Sequence, residues 1–188
     1  MSVSCCLRAV LGMLLLLPVL AIASPQYAYV DFNYLFQGPE DGDGRSLEGA
    51  GADLSLRLAE NFHLAGGFGR VRESPETRTV GRLALGFNAP VAERTDFVGR
   101  IGGLRGERKL TGDGTERENV LLIEAGLRTH VMDDLEFNAM LSHEDFSSAQ
   151  TWVDLGAVFY LNANLGINAL VGFSSDENRY KLGLRLTL

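Results

Sequence analysis

From Tyr27 onward, apolar positions recur at every second residue in about ten short segments, with almost nothing at a helical period. In one segment Leu135, Phe137, Ala139 and Leu141 share a face while Glu136, Asn138, Ser142 and Glu144 share the other, because successive strand side chains point to opposite sides. Val153, Leu155, Ala157, Phe159 and Leu161 separate in the same way from Asp154, Gly156 and Tyr160. Leu165, Ile167, Ala169, Val171 and Phe173 stand against Asn168 and Ser174. The last segment sets Tyr180, Leu182, Leu184, Leu186 and Leu188 against Lys181, Gly183 and Arg185. The pattern predicts an all-β chain.

The connections alternate in length. Ala59-Glu60-Asn61, Met132-Asp133-Asp134 and Asn162-Ala163-Asn164 read as tight turns, and 88–95 as a longer one containing Pro90. Between them lie 37–45, 72–77, 105–117, 146–150 and 175–178, mostly longer and rich in Gly, Ser and charge. Amphipathic strands joined in this rhythm predict an up-and-down antiparallel transmembrane β-barrel of ten strands, turns toward the periplasm and loops outside. The alternative is eight strands, with the hairpin 48–68 lying outside the wall. A soluble barrel or sandwich would also alternate, but with its charged face in water. Here the polar face carries Gly49, Gly51, Gly67, Gly69, Gly86, Gly102, Gly126, Gly156, Gly166, Gly172 and Gly183, which suits a narrow interior better than a solvated exterior.

Composition narrows the choice. The 188 residues hold 17 Lys+Arg against 24 Asp+Glu, a formal charge of -7, which argues against binding a nucleic-acid backbone. With 22 Gly, 5 Pro and 46% hydrophobic residues the chain is too apolar for a disordered tail. Beyond the N-terminal region no apolar run is long enough for a membrane-spanning helix. Residues 1–23 combine Arg8, an apolar core from Ala9 to Leu20, and the small-x-small end Ala21-Ile22-Ala23, the marks of a cleaved secretory signal peptide. Residues 24–188 are then the barrel domain, exported to the outer membrane without a thiol, because Cys5 and Cys6 lie in the removed segment.

The chain finishes with Lys181, Gly183, Leu186 and Leu188 in the spacing polar-x-Gly-x-x-apolar-x-apolar, the terminal-strand signal read by the barrel assembly machinery, with Leu188 in place of the usual aromatic. An even strand number places both termini in the periplasm. Expected partners are outer-membrane lipid and lipopolysaccharide, with the assembly machinery and periplasmic chaperones during biogenesis, around a monomer.

The polar phase assigns Asp31, Asp53, Glu124, Glu136, Glu144 and Asp154 to the lumen as acids, and Arg57, Arg82, Arg100, Arg128, Lys181 and Arg185 as bases. Buried charges persist only when paired, so this balance predicts an ion-pair network that fills the barrel. A wide selective pore would show one dominant sign of charge, whereas a narrow leaky channel stays open as the alternative.

Catalytic candidates are few. In Ser142-His143-Glu144-Asp145 the alternation turns Ser142 and Glu144 inward and His143 outward, so no Ser/His/acid unit forms and no enzyme is expected. His63 phases inward beside the turn at Asn61, but like His130 it has no second ligand at metal spacing, and neither metal nor cofactor is expected. The run Glu40-Asp41-Gly42-Asp43-Gly44 reads as a solvated acidic loop, with weak divalent-cation binding near lipopolysaccharide as its alternative. Tyr27, Tyr29, Phe36, Trp152, Phe159 and Tyr180 fall near strand ends and suggest an interfacial aromatic girdle.

The stretches Glu60-Asn61-Phe62-His63-Leu64-Ala65-Gly66-Gly67-Phe68, Ala92-Glu93-Arg94-Thr95-Asp96-Phe97-Val98-Gly99-Arg100 and Ile123-Glu124-Ala125-Gly126-Leu127-Arg128 carry a resemblance. In them the chain resembles small exported proteins of xanthomonad-type bacteria that bear the inherited label of sulfation-dependent quorum factor. The resemblance implies a small outer-membrane barrel. Its label implies a sulfated N-terminal tyrosine released as a signal, for which Tyr27 and Tyr29, near Asp31, are the available residues, although they also phase as the first wall strand. The expected role is structural or one of surface interaction, with a narrow pore, a lipid- or peptide-acting enzyme and a secreted signal as successive alternatives.

Overall fold

Each stretch of period-two alternation forms a strand, and every strand pairs with its two neighbours. The computed structural model describes residues 25–39, 46–110, 114–145 and 149–188. The expected signal peptide and the acidic run 40–44 lie outside the described residues. The strands are β1 (Tyr29–Pro39), β2 (Leu47–Ala59), β3 (Phe62–Glu73), β4 (Glu76–Ala92), β5 (Thr95–Leu110), β6 (Thr115–His130), β7 (Leu135–Glu144), β8 (Gln150–Tyr160), β9 (Leu165–Phe173) and β10 (Glu177–Thr187). All pairs are antiparallel and sequential, and β1 closes the ring on β10 in the register Tyr29↔Thr187 to Pro39↔Glu177. Closure pairs the wall's backbone groups, the condition for crossing hydrocarbon. It also decides the strand number, since β2 and β3 stand in the wall between β1 and β4 rather than outside it.

The distribution of side chains is inverted relative to a water-soluble barrel. Phe32, Leu54, Leu83, Ile101, Leu127, Leu141, Leu155 and Leu184 are exposed on the outer face. Asp31, His63, Glu124, Arg128, Glu136, Ser142, Asp154 and Arg185 are buried within. Such an apolar belt around a polar interior is the arrangement a lipid solvent selects.

Three connections differ from the sequence expectation. The stretch 88–95 is a two-residue turn at Glu93-Arg94, because β4 continues past Pro90 to Ala92 with a register shift that absorbs the proline's missing donor. Between β3 and β4 the chain turns in two residues at Ser74-Pro75. Most of 105–117 is ladder, with pairing from Leu104↔Val120 out to Lys109↔Thr115. These outer ladders lack the apolar half of the alternation because no lipid touches them, so they read as loops although the main chain pairs normally. Strands of 17, 16 and 16 residues in β4, β5 and β6 reach roughly 50 Å at about 3.3 Å per residue before tilt, beyond a core of about 30 Å.

The lumen-facing glycines mark close approach. A Cβ on Gly67 would stand 2.5 Å from Asp53 Oδ1 and 2.8 Å from Arg82 Nε, and one on Gly86 would stand 2.1 Å from His63 Nε2. Large side chains of adjacent strands thus lie across the glycine backbone, which is how so narrow a tube holds so many long side chains.

Candidate functional site

The lumen is built in tiers. At the barrel end where β1 begins and β10 finishes, Tyr27, ahead of β1, turns into the barrel and is 1% exposed. Its hydroxyl donates to Asp96 at 2.9 Å, its carbonyl accepts from Ser55 Oγ at 2.7 Å, and its ring stacks on His63 at 4.8 Å.

Above it lies the most buried charge cluster. Glu136 of β7 accepts from Arg128 of β6 at 2.6 and 2.9 Å and from the Tyr160 hydroxyl at 3.2 Å, and it lies 3.5 Å from His130. Arg185 of β10 donates two hydrogen bonds to Asp31 at 2.8 and 2.7 Å and stands 3.5 Å from Glu136. Pairs of this kind persist only when the guanidinium and carboxylate satisfy each other with good geometry. The Tyr29 ring supports both cations, with Arg185 at 3.8 Å and Arg128 at 5.3 Å from its centroid.

The middle tier joins Asp53 to Arg82 at 2.8 Å, to Lys181 at 3.1 Å and to Asn33 at 3.0 Å. Glu124 pairs with Arg100 at 3.2 Å and Arg82 at 3.5 Å and accepts from Ser142 Oγ at 3.2 Å. Arg100 also donates to His63 Nε2 at 3.2 Å, tying this tier to that of Tyr27. Toward the outside Arg179 donates to Asp154 at 2.9 Å, approaches Glu144 at 3.5 Å and lies 4.1 Å from the Trp152 ring centroid.

Eleven of the twelve residues assigned to the lumen therefore come together: Asp31, Asp53, Arg82, Arg100, Glu124, Arg128, Glu136, Glu144, Asp154, Lys181 and Arg185. The exception is Arg57. It lies opposite His63 beside the register shift at the foot of β2, where the wall ends in water; it is exposed, and its charge acts on Asp96 only from beyond salt-bridge distance. Arg179, which is not among the twelve, joins the network at the opposite end of the barrel through Asp154 and Glu144.

The aromatic girdle needs the same kind of correction. Phe159 and Tyr180 do face outward, at 47% and 40% exposure, and the Phe36 ring packs 5.7 Å from that of Tyr180. Tyr27, Tyr29 and Trp152 are lumenal instead. Alternation holds the reason: Tyr29 is two residues before Asp31, and Trp152 two before Asp154.

Ser142 and His143 part as expected. Ser142 bonds Glu124 inside, while His143 Nδ1 lies 3.0 Å from Thr151 Oγ1 on the exposed side. No group of three or more His, Cys, Asp or Glu among the described residues is placed to hold a metal ion. In the terminal strand Lys181 and Gly183 face the lumen, and Leu186 and Leu188 face outward at 42% and 66% exposure.

Two spaces remain inside the ring. A vestibule of about 570 Å³ opens at the end of the barrel opposite Tyr27, and a cavity of about 120 Å³ lies beneath it. Asp53, Arg82, Arg179 and Lys181 line both and separate them. At the rim, outside the membrane span, Glu76 accepts from Arg78 at 2.6 Å and from Arg108 at 2.8 Å. Partial burial pushes the Glu76 carboxyl up, but the two guanidinium groups outweigh it and hold it below the ordinary glutamate range.

A closed antiparallel barrel, apolar outside and charged inside, has the fold of an outer-membrane β-barrel. No protein-family model matches the chain, and no curated protein does. Among solved structures it is similar to the KdgM porin in complex with disordered oligogalacturonate, at 13% identity and a TM-score of 0.51, covering 85% of this chain and 99% of that one. The attachment invasion locus protein Ail of Yersinia pestis aligns over 85% of this chain and 95% of its own, at 10% identity and a TM-score of 0.46. The N-terminal β-barrel domain of Pseudomonas aeruginosa OprF aligns over 87% and 100%, at 13% identity and a TM-score of 0.45. At such identities the likeness establishes the fold.

Proposed function

We propose that this chain is a monomeric outer-membrane barrel whose lumen is closed by its own side chains and whose role is structural or one of interaction at the outer surface. The observation that carries the reading is the fully buried Glu136, bound by Arg128 and approached by Arg185, above the inserted Tyr27. Opening a path there would strip partners from charges that have no water to replace them, at roughly 3–5 kcal/mol for a broken buried pair. The apolar belt supports contact with outer-membrane lipid and lipopolysaccharide, and the outward Leu186 and Leu188 suit a terminal strand handled by the assembly machinery. Single-channel recording in planar bilayers tests the reading, with closed barrels expected to be silent.

A narrow pore is the second reading. It is favoured by the vestibule and the lower cavity sharing four side chains, so that little separates them, and the KdgM relative in fold is a porin. An enzymatic role has no support in the separation of Ser142 from His143. A released, sulfated N-terminal signal agrees poorly with Tyr27, whose hydroxyl is buried against Asp96 in the folded barrel.

A further inference from the structure

The vestibule's surface differs from the balanced composition beneath it. In each ion pair of its floor the cation is the more exposed partner. The Arg82 side chain is 28% exposed against 6% for Glu124, Arg179 is 23% against 7% for Asp154, and Lys181 is 22% against 17% for Asp53. Glu124 and Asp154 lie underneath, Asp53 and Glu144 share the lining as the less exposed members of their pairs, and the floor presents N–H donors to the open space. Arg82 and Lys181 reach the two oxygens of one Asp53 carboxylate, so one carboxylate bridges them and each keeps N–H donors for a second anion.

One wall is apolar where lipid cannot reach. Val80 pairs in register with Gly69, whose face is occupied by Leu35, and Val80 is nevertheless 37% exposed. An exposed apolar side chain inside a polar tube is left without a partner from its own chain. Toward the lip the carboxylates of Glu107, Glu116, Glu118, Asp176 and Glu177 outnumber the guanidinium groups of Arg78 and Arg108. They disfavour a second negative charge at the outer end and so orient a single-headed anion with its charge downward. The volume of about 570 Å³ lies within the roughly 300–1,000 Å³ of small-molecule sites.

We propose that the vestibule binds a small organic anion with an apolar body, its anionic group held by Arg82, Arg179 and Lys181 and its body laid against Val80 and Leu35. The inference rests on the barrel being closed beneath the vestibule, since an open floor would pass such a molecule rather than hold it.

Trp152 is the sole tryptophan of the chain and lies in the vestibule's lining under Arg179, so its fluorescence reports on the site. The test titrates 2-naphthoate into the detergent-folded barrel, with neutral 2-naphthamide and inorganic sulfate in parallel. Saturable quenching by naphthoate is expected. The amide should bind about tenfold more weakly or worse, the scale of one hydrogen bond to a charged group, and sulfate should have no comparable effect. Lys181→Gln and Val80→Asp should each weaken naphthoate by about tenfold or more. Quenching that does not saturate, equal affinity for the amide, an equal response to sulfate, or unchanged affinity in Val80→Asp would each overturn the proposal. Where Lys181→Gln loses the heat-dependent gel mobility of a folded barrel, Val80→Asp, which leaves every floor pair intact, decides alone. Conductance of the same preparation is read separately: a conducting barrel that still binds would overturn the closed lumen, and a silent one that does not bind would overturn only the site.

Discussion

Arg128 and Glu136, eight residues apart on adjacent strands, meet through two hydrogen bonds of 2.6 and 2.9 Å, with the glutamate side chain at 0% exposure. The turn between β6 and β7 sets this geometry. Around it Arg185, Tyr160 and His130 close on the same carboxylate. The pair thus ties strands on both sides of β7 to one buried charge.

Glu136→Gln should destabilise the barrel by about 3–5 kcal/mol, because it leaves Arg128 without a counter-charge in a place water does not reach. Replacing both partners, Glu136→Gln with Arg128→Met, should cost less than the sum of the single changes. Urea unfolding of barrels in lipid vesicles, arranged as a double-mutant cycle, measures both.

A charge should matter greatly in the apolar belt of β8 and little at the exposed foot of β2. Leu155→Arg, in the apolar belt, should cost about 2–4 kcal/mol if the residue lies near the bilayer midplane. Arg57→Ala should change stability by less than about 0.5 kcal/mol, since that guanidinium is exposed and acts on Asp96 only from beyond salt-bridge distance. The same unfolding assay reads both, and a large loss at Arg57 would return it to the network.

The wall was legible from sequence wherever one face was strongly apolar, as in Leu135 to Leu141, because a one-residue slip would have put every polar side chain in lipid. It was illegible above the membrane. There Arg105–Lys109 pairs with Thr115–Asn119 through the backbone but lacks the apolar half of the pattern. Reading 175–178 as loop started the last strand at Tyr180 and cut off Arg179, although Arg179, Lys181 and Arg185 share one phase. Asp96 was missed beside a turn, although it shares a phase with Arg100. The aromatics misled differently: position near a strand end suggested lipid headgroups, whereas the phase shared by Tyr29 with Asp31 and by Trp152 with Asp154 turned them inward.

Gly86 should not accept a methyl group. Gly86→Ala places a carbon against the His63 ring, itself stacked on Tyr27, and should cost about 1–3 kcal/mol by overpacking. Combining it with His63→Ala should recover part of that loss, since the smaller residue vacates the space the methyl needs. Melting by tryptophan fluorescence compares the three variants.

Acidification should act on the rim in a defined order. The Glu76 carboxyl is held below its ordinary value by Arg78 and Arg108, so the stabilisation it gives is fully present above its unfolded value of about 4.3 and is lost as pH falls through the lower folded value. Carboxyl NMR should place its midpoint below that of an unfolded glutamate, and Arg108→Gln should move it upward. An unshifted midpoint would mean that the rim pairs are solvent-separated.

The central claim is that this chain's own side chains close its lumen. Planar-bilayer recording of heat-modifiable, folded barrel tests it most directly. Silence from wild-type protein, with discrete steps appearing in a variant that combines Tyr27→Ala and Arg128→Ala, is the predicted result. Discrete conductance steps in the wild type that change with Arg100→Ala would contradict the closed lumen and make passage of small solutes the working function.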